Sequence, residues 1–305
     1  YRWQEENLAP TPASQAIADE FGLANLVAEL LVKKGYTTVE EVRRFLEPSS
    51  TSFYDPYLLY NMKKTVDRIQ EAIVSGEHIT IYGDYDADGL TSTAIMYETL
   101  TQLGADVDYY IPDRFKDGYG PNKDAYERLI ANGTELIVTV DNGVSGHEAI
   151  TLANEKGVDV LVTDHHELPQ TLPDAYAVVH PRHPKGKYPF GDLSGAGVAF
   201  KVATALLDEI PQDLLDLATI GTVADLVSLT DENRALVKFG LTALKNTLRP
   251  GLLALYEVAG VDQRAITSET IGFSLGPRLN AIGRMQHAQS GVELLTTLDD
   301  ELATD

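Results

Sequence analysis

The amino-acid sequence predicts an α/β fold, in which helices flank a doubly wound, mainly parallel sheet. Between residues 78 and 180, short apolar runs that suit buried strands alternate with segments whose apolar residues recur at helical spacing. Helix-length segments are the connections that parallel strands need. The residues before 77 and after 194 have mostly helical patterns, so we expect an N-terminal helical extension and a helical C-terminal part around the sheet.

The N-terminal extension is predicted to contain several helices. Residues 24–32 suit a helix, and Thr37-Thr-Val-Glu40 resembles a capping box that opens a second helix, which runs to Leu46. Residues 62–74 carry apolar side chains close to a period of 3.6, which indicates a third helix.

Strands and helices then alternate. The predicted strands cover residues 79–82, 106–111, 135–140, 158–163 and 176–180. Between them we expect a helix capped by Thr91 or Ser92, a helix over 121–132 with Pro121 at its start, and a helix over 147–156 that Gly157 ends. Further helices are predicted over residues 198–207, 214–226, 235–244 and 252–259 and from 292 onwards, with residues 276–285 as a loop.

Composition limits the class of protein. The chain has 305 residues with 24 Lys and Arg against 46 Asp and Glu, a net charge of −22, which argues against a general polyanion-coating protein. There is no cysteine, so a disulfide framework or a zinc–thiolate site is excluded. No apolar stretch approaches the roughly 20 residues of a membrane helix, and residues 1–10 lack the pattern of a signal peptide, so a cytoplasmic protein without a membrane partner is expected.

Three carboxylates follow the first predicted strand. Asp84, Asp86 and Asp88 occupy alternate positions of one short turn, where they repel each other unless a cation lies among them. Hard divalent ions such as Mg²⁺ or Mn²⁺ prefer such oxygen ligands. An Asp-rich surface turn is the plainer alternative. An EF-hand loop is excluded, because its twelfth position requires Glu and this chain has Ile95 there.

Two further strands end in polar residues. Asp141-Asn142 follows the third predicted strand and Asp164-His165-His166 follows the fourth. By itself Asp141 suits a turn, and His165 alone suits a strand end. Because ligands of open α/β sheets bind beyond the carboxyl ends of the strands, the three clusters together predict a two-metal hydrolytic site.

The chain resembles the DHH phosphoesterase superfamily, and within it the branch of single-stranded-DNA-specific exonucleases. The resemblance runs from about Asp55 to the last residue. It is carried by motifs in family order: Gly83-Asp-Tyr-Asp-Ala-Asp-Gly89, Val140-Asp-Asn-Gly143, Thr163-Asp-His-His166, Ser194-Gly-Ala-Gly197, Gly221-Thr-Val-Ala-Asp-Leu-Val227 and Gly276-Pro-Arg-Leu-Asn-Ala-Ile-Gly-Arg284.

The resemblance implies a full set of site residues around two Mn²⁺ or Mg²⁺ ions. One ion is expected at Asp86 and Asp141, with help from Asp84. The second ion is expected at Asp88, Asp141, His165 and Asp225, so that Asp141 bridges the pair. His166 would contact the scissile phosphate or its leaving oxygen. Phosphates are assigned to Ser194, Gly195, Gly197, Arg278, Asn280 and Arg284.

The chain departs from the family pattern at two points. Several superfamily branches have a histidine four positions before Asp86, where this chain has Tyr82, so we expect fewer protein ligands for the first ion. The family also continues into a second domain. We therefore expect a helical extension over 1–76, a DHH domain over 77–285 and, over 286–305, the start of a helix that connects to a second domain.

The implied activity is metal-dependent hydrolysis of single-stranded DNA from its 5′ end to mononucleotides, in DNA repair and recombination. Single-strand-binding protein and helicase are the partners that the resemblance implies. We expect the DNA in a groove lined by cations at Arg114, Lys116, Arg182, Lys185, Lys187 and Arg284. Two alternatives are a phosphodiesterase for short oligonucleotides, cyclic dinucleotides or polyphosphate, and a non-catalytic replication scaffold.

Overall fold

Five parallel strands form the central sheet of the computed structural model, which describes residues 9–114, 116–284 and 288–305. The strands are β1 (Ile79–Tyr82), β2 (Val107–Tyr110), β3 (Leu136–Val140), β4 (Asp159–Thr163) and β5 (Ala177–Val179), in the order β2-β1-β3-β4-β5. The chain therefore moves to one side of β1 with β2 and to the other side with β3. The cleft between β1 and β3 is the topological switch point.

Helices cover both faces of this sheet, as the sequence predicts for a doubly wound fold. One face packs on α4 (Met62–Ser75), α5 (Ala87–Gln102) and α8 (Gly195–Leu207). The other face packs on α6 (Lys123–Ala131) and α7 (His147–Glu155). Alternate residues of each strand enter the two cores, Ile81 on the first face and Tyr82 on the second, because successive side chains of a strand point to opposite sides.

The helix after the Asp turn starts earlier than predicted. The N-cap of α5 is Asp86, whose Oδ1 accepts the Gly89 N–H at 2.9 Å, and not Thr91 or Ser92. The carboxylate satisfies an orphan amide of the first turn, and its charge suits the positive end of the helix. Thr91 and Ser92 bond backbone carbonyls within the helix, so both hydroxyls are satisfied there.

The N-terminal extension forms a small core of its own. It contains α1 (Pro12–Phe21), α2 (Asn25–Lys33) and α3 (Val39–Leu46). The capping box of α3 is one residue later than predicted, with Thr38 as N-cap and Glu41 as its reciprocal partner. A salt bridge of 2.9 Å between Arg44 and Asp231 ties this bundle to the C-terminal helices.

The C-terminal part is mostly helical, and some of its helices pack on α5 and α8. It comprises α9 (Leu215–Ala224), α10 (Asp231–Asn246), α11 (Pro250–Ala259), α12 (Ser268–Thr270), the π-helical Ile271–Leu275, α13 (Gly276–Ile282), α14 (Gln289–Thr296) and α15 (Asp300–Thr304), with short 3₁₀ turns at Gln212–Leu214 and Gln263–Ala265. Two further 3₁₀ turns, at Ser50–Ser52 and Pro56–Leu58, lie between α3 and α4. The predicted loop over 276–285 is wrong for its first seven residues. Pro277 lies in the first turn of α13, where a missing N–H does no harm. Met285, the end of that prediction, lies outside the described residues.

Crossing a membrane requires a longer and more apolar helix than any in the part of the chain that the structure describes.

Candidate metal centre

The ends of β1 and β3 bring a first group of carboxylates together. One ligand atom each of Asp84, Asp86 and Asp141 lies within 4.8 Å of the others. Asp84 and Asp141 are buried, and Asp141 adopts a left-handed backbone with φ of 60°. Asp and Asn tolerate that conformation better than most residues, so the sharp turn after β3 favours an Asp for structural reasons as well as for its charge.

A second group lies beside the first and includes a histidine. Its members are Asp88, His165 and Asp225, again with ligand atoms within 4.8 Å of one another. His165 Nε2 lies 3.7 Å from Asp88 Oδ2 and 3.7 Å from Asp225 Oδ2. The same nitrogen lies 3.1 Å from Asp141 Oδ1, so the two groups meet at Asp141 and His165.

The start of α8 holds Asp88 in this arrangement. The backbone N–H groups of Gly195 and Ala196 donate to the two carboxylate oxygens of Asp88 at 2.7 and 2.9 Å. A Cβ on Gly195 would lie 2.4 Å from Asp141 Oδ1, so only glycine fits between the two carboxylates. Ser194 caps the helix by accepting the Gly197 N–H at 3.1 Å. The amides for which the sequence implies a phosphate thus bind protein oxygens here, and a phosphate role for this segment stays a prediction.

Burial and mutual repulsion disfavour the ionised form of these carboxylates when no cation is bound. Burial, and then the charge of Asp86, raise the pKa of Asp84 to about 7. Burial raises the pKa of Asp225 to about 6, and it raises the pKa of Asp88 and that of Asp141 well above their ordinary values. A divalent cation removes this penalty, because it supplies the opposite charge that the carboxylates lack.

The protonation state of His165 and two buried atoms without hydrogen-bond partners also suit a bound cation. Burial lowers the pKa of His165 to about 4, so its ring is neutral and can offer a lone pair. Asp141 Oδ1 and His165 Nε2 are buried without a hydrogen-bond partner among the described residues. Oxygen and imidazole donors in this mixture suit Mn²⁺ or Mg²⁺. The residues present therefore fit the predicted pair of ions.

Asp164 orients the second histidine, a role that the motif alone did not reveal. Its Oδ1 accepts the backbone N–H groups of His165 and His166 at 2.7 and 3.0 Å and lies 2.8 Å from His166 Nδ1. Burial alone raises the pKa of Asp164, but the hydrogen bond and the charge of His166 outweigh it, so the net pKa is lowered. In return, burial lowers the pKa of His166, but the hydrogen bond and charge of Asp164, together with the charges of Asp225 and Asp84, outweigh burial, so the net pKa is raised.

Comparisons with known proteins identify the part of the chain that carries this site. Residues 78–222 match the DHH family, N-terminal domain. Residues 78–222 therefore form a DHH-family domain within this chain. The matched segment runs from the residue before β1 into α9, and so includes every predicted ligand except Asp225.

Relatives of this chain are named as exonucleases. The chain is 50% identical over 295 residues to the single-stranded-DNA-specific exonuclease RecJ of Bacillus subtilis (strain 168), and the aligned part covers 95% of this chain and 38% of the relative. The crystal structure of RecJ in complex with Mn²⁺ from Thermus thermophilus superposes with a TM-score of 0.83 at 32% identity, over 99% of this chain and 44% of that one. The structure with Mg²⁺ gives 0.74 at 30% identity, over 99% and 41%. The chain thus spans about two fifths of the length of these relatives.

Two buried residues of the DHH site belong to its scaffold. Asn142 Nδ2 donates to the carbonyls of Gly83 and Val140 at 3.0 and 2.8 Å and so joins the ends of β1 and β3. Tyr82 lies fully buried in the α6–α7 core, where its hydroxyl donates to the Gly120 carbonyl at 3.1 Å. Tyr82 therefore offers no atom to the metal centre, and the expectation of fewer protein ligands for the first ion stays a prediction.

Of the predicted phosphate ligands on and after α13, Asn280 lies next to the Asp turn. Asn280 Oδ1 accepts the Ala87 N–H at 2.7 Å, which fixes the start of α5. A Cβ on Gly283 would lie 1.8 Å from the Tyr85 carbonyl, so the end of α13 packs directly on that turn. Arg278 and Arg284 are exposed, and Arg278 Nη1 donates to the Ser274 carbonyl at 2.7 Å. Their phosphate role stays a prediction.

Two of the predicted groove cations lie at the DHH site. Arg182 Nη2 donates to the His165 carbonyl at 2.8 Å, and the Arg114 guanidinium lies 5.4 Å from the centre of the Tyr85 ring. Lys116 lies 3.6 Å from an Asp113 oxygen. Lys185 and Lys187 are exposed on the segment after β5, and their part in a groove stays a prediction.

Proposed function

We propose that this chain carries the catalytic region of a metal-dependent exonuclease that hydrolyses single-stranded DNA from its 5′ end to mononucleotides. The observation that carries the proposal is the meeting of two ligand groups at the 3.1 Å approach of His165 Nε2 to Asp141 Oδ1. Its support from relatives is the single-stranded-DNA-specific exonuclease named above and the RecJ structures with Mn²⁺ and Mg²⁺.

The two groups would each hold one ion. Asp84, Asp86 and Asp141 offer oxygens to the first, while Asp88, His165 and Asp225 face the second, with Asp141 shared. When bound, such a pair of ions supplies an activated water and stabilises the attacking and leaving oxygens of an in-line displacement at phosphorus.

His166 is the proton donor of the proposed reaction. Asp164 holds Nδ1, so Nε2 is the nitrogen that can face the leaving oxygen. The raised pKa of His166 favours the protonated ring, which gives its Nε2 proton to the departing oxygen. Asp164 stays ionised and keeps the ring in one orientation throughout.

The cations near the site would hold the DNA backbone against an otherwise acidic protein. Arg114 and Arg182 lie next to the ligand groups, and Arg284 is exposed just after α13. Replacing Arg284 with Ala should weaken binding of oligothymidylate and lower the slope of affinity against salt by about one. Binding with an unchanged salt slope would remove Arg284 from the groove.

Digestion of end-labelled DNA tests the function. We expect the native chain to release labelled mononucleotides from 5′-labelled single strands in Mn²⁺, to spare blunt duplex, and to be inactive in EDTA. Preference for dinucleotides over long single strands would favour the small-substrate alternative. Metal binding without any hydrolysis would favour the scaffold.

The cellular setting is proposed from the resemblance alone. It comprises DNA repair and recombination in the cytoplasm, with single-strand-binding protein and helicase as partners. Co-purification of the tagged chain with purified single-strand-binding protein, against a tag-only control, tests the first of these partners.

A further inference from the structure

The Tyr119 side chain contacts the imidazole ring of His166, the proposed proton donor. The Tyr119 hydroxyl lies 2.9 Å from His166 Nε2 and 3.3 Å from its Nδ1, while Asp164 Oδ1 lies 2.8 Å from Nδ1. Both ring nitrogens of His166 therefore have protein partners. Both side chains reach the surface, since Tyr119 is 55% exposed and the His166 side chain 40%.

The loop that carries Tyr119 is built to present this one side chain. Gly118 and Gly120 flank it with φ of 80° and 74°, a left-handed backbone that favours glycine. On one side Asn122 Nδ2 donates to the Asp117 carbonyl at 2.9 Å, and on the other the Tyr82 hydroxyl donates to the Gly120 carbonyl at 3.1 Å. With its backbone held on both sides, Tyr119 can leave His166 by rotation of its side chain.

The contact and the proposed reaction cannot exist together. The Tyr119 hydroxyl lies close to both ring nitrogens, 2.9 Å from Nε2, so a leaving oxygen that approaches Nε2 must displace it. Burial and the nearby carboxylates raise the pKa of Tyr119, so its hydroxyl stays protonated and can pair with His166 Nε2 as a donor to the neutral ring or as an acceptor from the charged ring. The same contact also keeps His166 from joining Asp141 and His165 as a third ligand of one cation, a grouping that their positions allow.

We propose that Tyr119 is a positioning residue that caps His166 Nε2 in the resting enzyme and is displaced by the scissile phosphate when DNA enters. The proposal rests on the exonuclease function proposed above, because only that function gives His166 a leaving oxygen to meet. On this proposal the Tyr119 hydroxyl competes with substrate for His166 Nε2 and takes no part in the bond-breaking step.

Chemical labelling of histidine tests the cap without DNA or metal. Diethyl pyrocarbonate acylates accessible neutral imidazole nitrogens, and peptide mass spectrometry separates His166 from exposed His147, the internal reference. In Tyr119→Phe, which keeps the ring and removes the hydroxyl, the ratio of His166 to His147 labelling should rise about three- to tenfold, the effect of losing one hydrogen bond. Tyr97→Phe is the control, since Tyr97 lies near the far end of α5.

Steady-state kinetics on 5′-labelled oligothymidylate with Mn²⁺ then test competition with substrate. In Tyr119→Phe we expect kcat/KM to rise about threefold, through a lower KM, because DNA no longer displaces a hydroxyl. An unchanged labelling ratio, or a fall in kcat without a change in KM, would overturn the cap. An inactive native chain would instead refute the proposed function, and the labelling ratio would still report whether His166 is covered.

Discussion

The carboxylates of the metal centre should destabilise the folded protein whenever the ions are removed, and Asp84→Asn measures this effect. Asp84 is buried, and its pKa rises from 3.8 to about 7 on folding. A rise of roughly three pKa units at 1.36 kcal/mol each amounts to about 4 kcal/mol of lost stability above pH 7. Asn keeps the size of the side chain and an oxygen for the Tyr85 N–H, bonded at 2.8 Å, but carries no charge.

The sign of the pH dependence follows from the raised pKa. The folded state binds the Asp84 proton more tightly than the unfolded state, so the penalty is absent below pH 3.8, grows as the pH rises to about 7 and is constant above. The advantage of Asp84→Asn should therefore be largest at pH 8 and should shrink as the pH is lowered towards 5.

Urea unfolding at pH 8 provides the assay. In EDTA we expect Asp84→Asn to unfold at a higher urea concentration than the native chain, by about 1 M. In Mn²⁺ the difference in unfolding midpoint between Asp84→Asn and the native chain should become smaller or change sign, because the native Asp84 carboxylate gains a cation. Asp174→Asn, on the surface, is the control and should change stability by less than about 0.5 kcal/mol. An Asp84→Asn variant that is less stable than native in EDTA would refute the reasoning.

Two other substitutions test how the site residues are positioned. Gly195→Ala places a Cβ 2.4 Å from Asp141 Oδ1 and should lower Mn²⁺ affinity, measured by calorimetry, at least about tenfold. The control Gly272→Ala, whose Cβ meets nothing within 4 Å, should bind Mn²⁺ normally, and equal affinities of the two variants would mean that Asp88 and Asp141 need not lie close together on the two sides of Gly195. Asp164→Asn removes the negative charge at His166 Nδ1 and should lower kcat about 10- to 100-fold with little change in KM, and a native kcat would show that Asp164 does not orient the histidine.

The sheet and its catalytic edge could be predicted because they depend on local patterns. Each strand is a short apolar run, and each polar cluster follows a strand directly, so the parallel arrangement alone brings Asp84, Asp141 and His165 to one edge. Asp225 was identified only through the family motif. Asp225 follows α9, and nothing in the neighbouring sequence indicates that this helix will bring the Asp225 carboxylate to 3.7 Å from His165.

The errors came from choices that tertiary contacts decide. Asp86 and the threonine and serine that follow it are all good N-caps, and the turn after β1 selected the Asp. The Gly-Pro start of α13 suggests a loop in isolation, yet the packing of Gly283 on Tyr85 supports a helix. The location of the Tyr82 ring was not an error but could not be predicted either, because only the fold decides which helices cover that face of the sheet.

Anomalous diffraction from a crystal of the native chain soaked in Mn²⁺ tests the central claim most directly. We predict two peaks roughly 3.5–4 Å apart, one among Asp84, Asp86 and Asp141 and the other among Asp88, His165 and Asp225, with Asp141 contacting both. The same soak of Asp141→Asn, which keeps the left-handed turn but not the charge, should weaken both peaks. A single peak at Asp141, His165 and His166, or none at full Mn²⁺ concentration, would contradict the two-ion account.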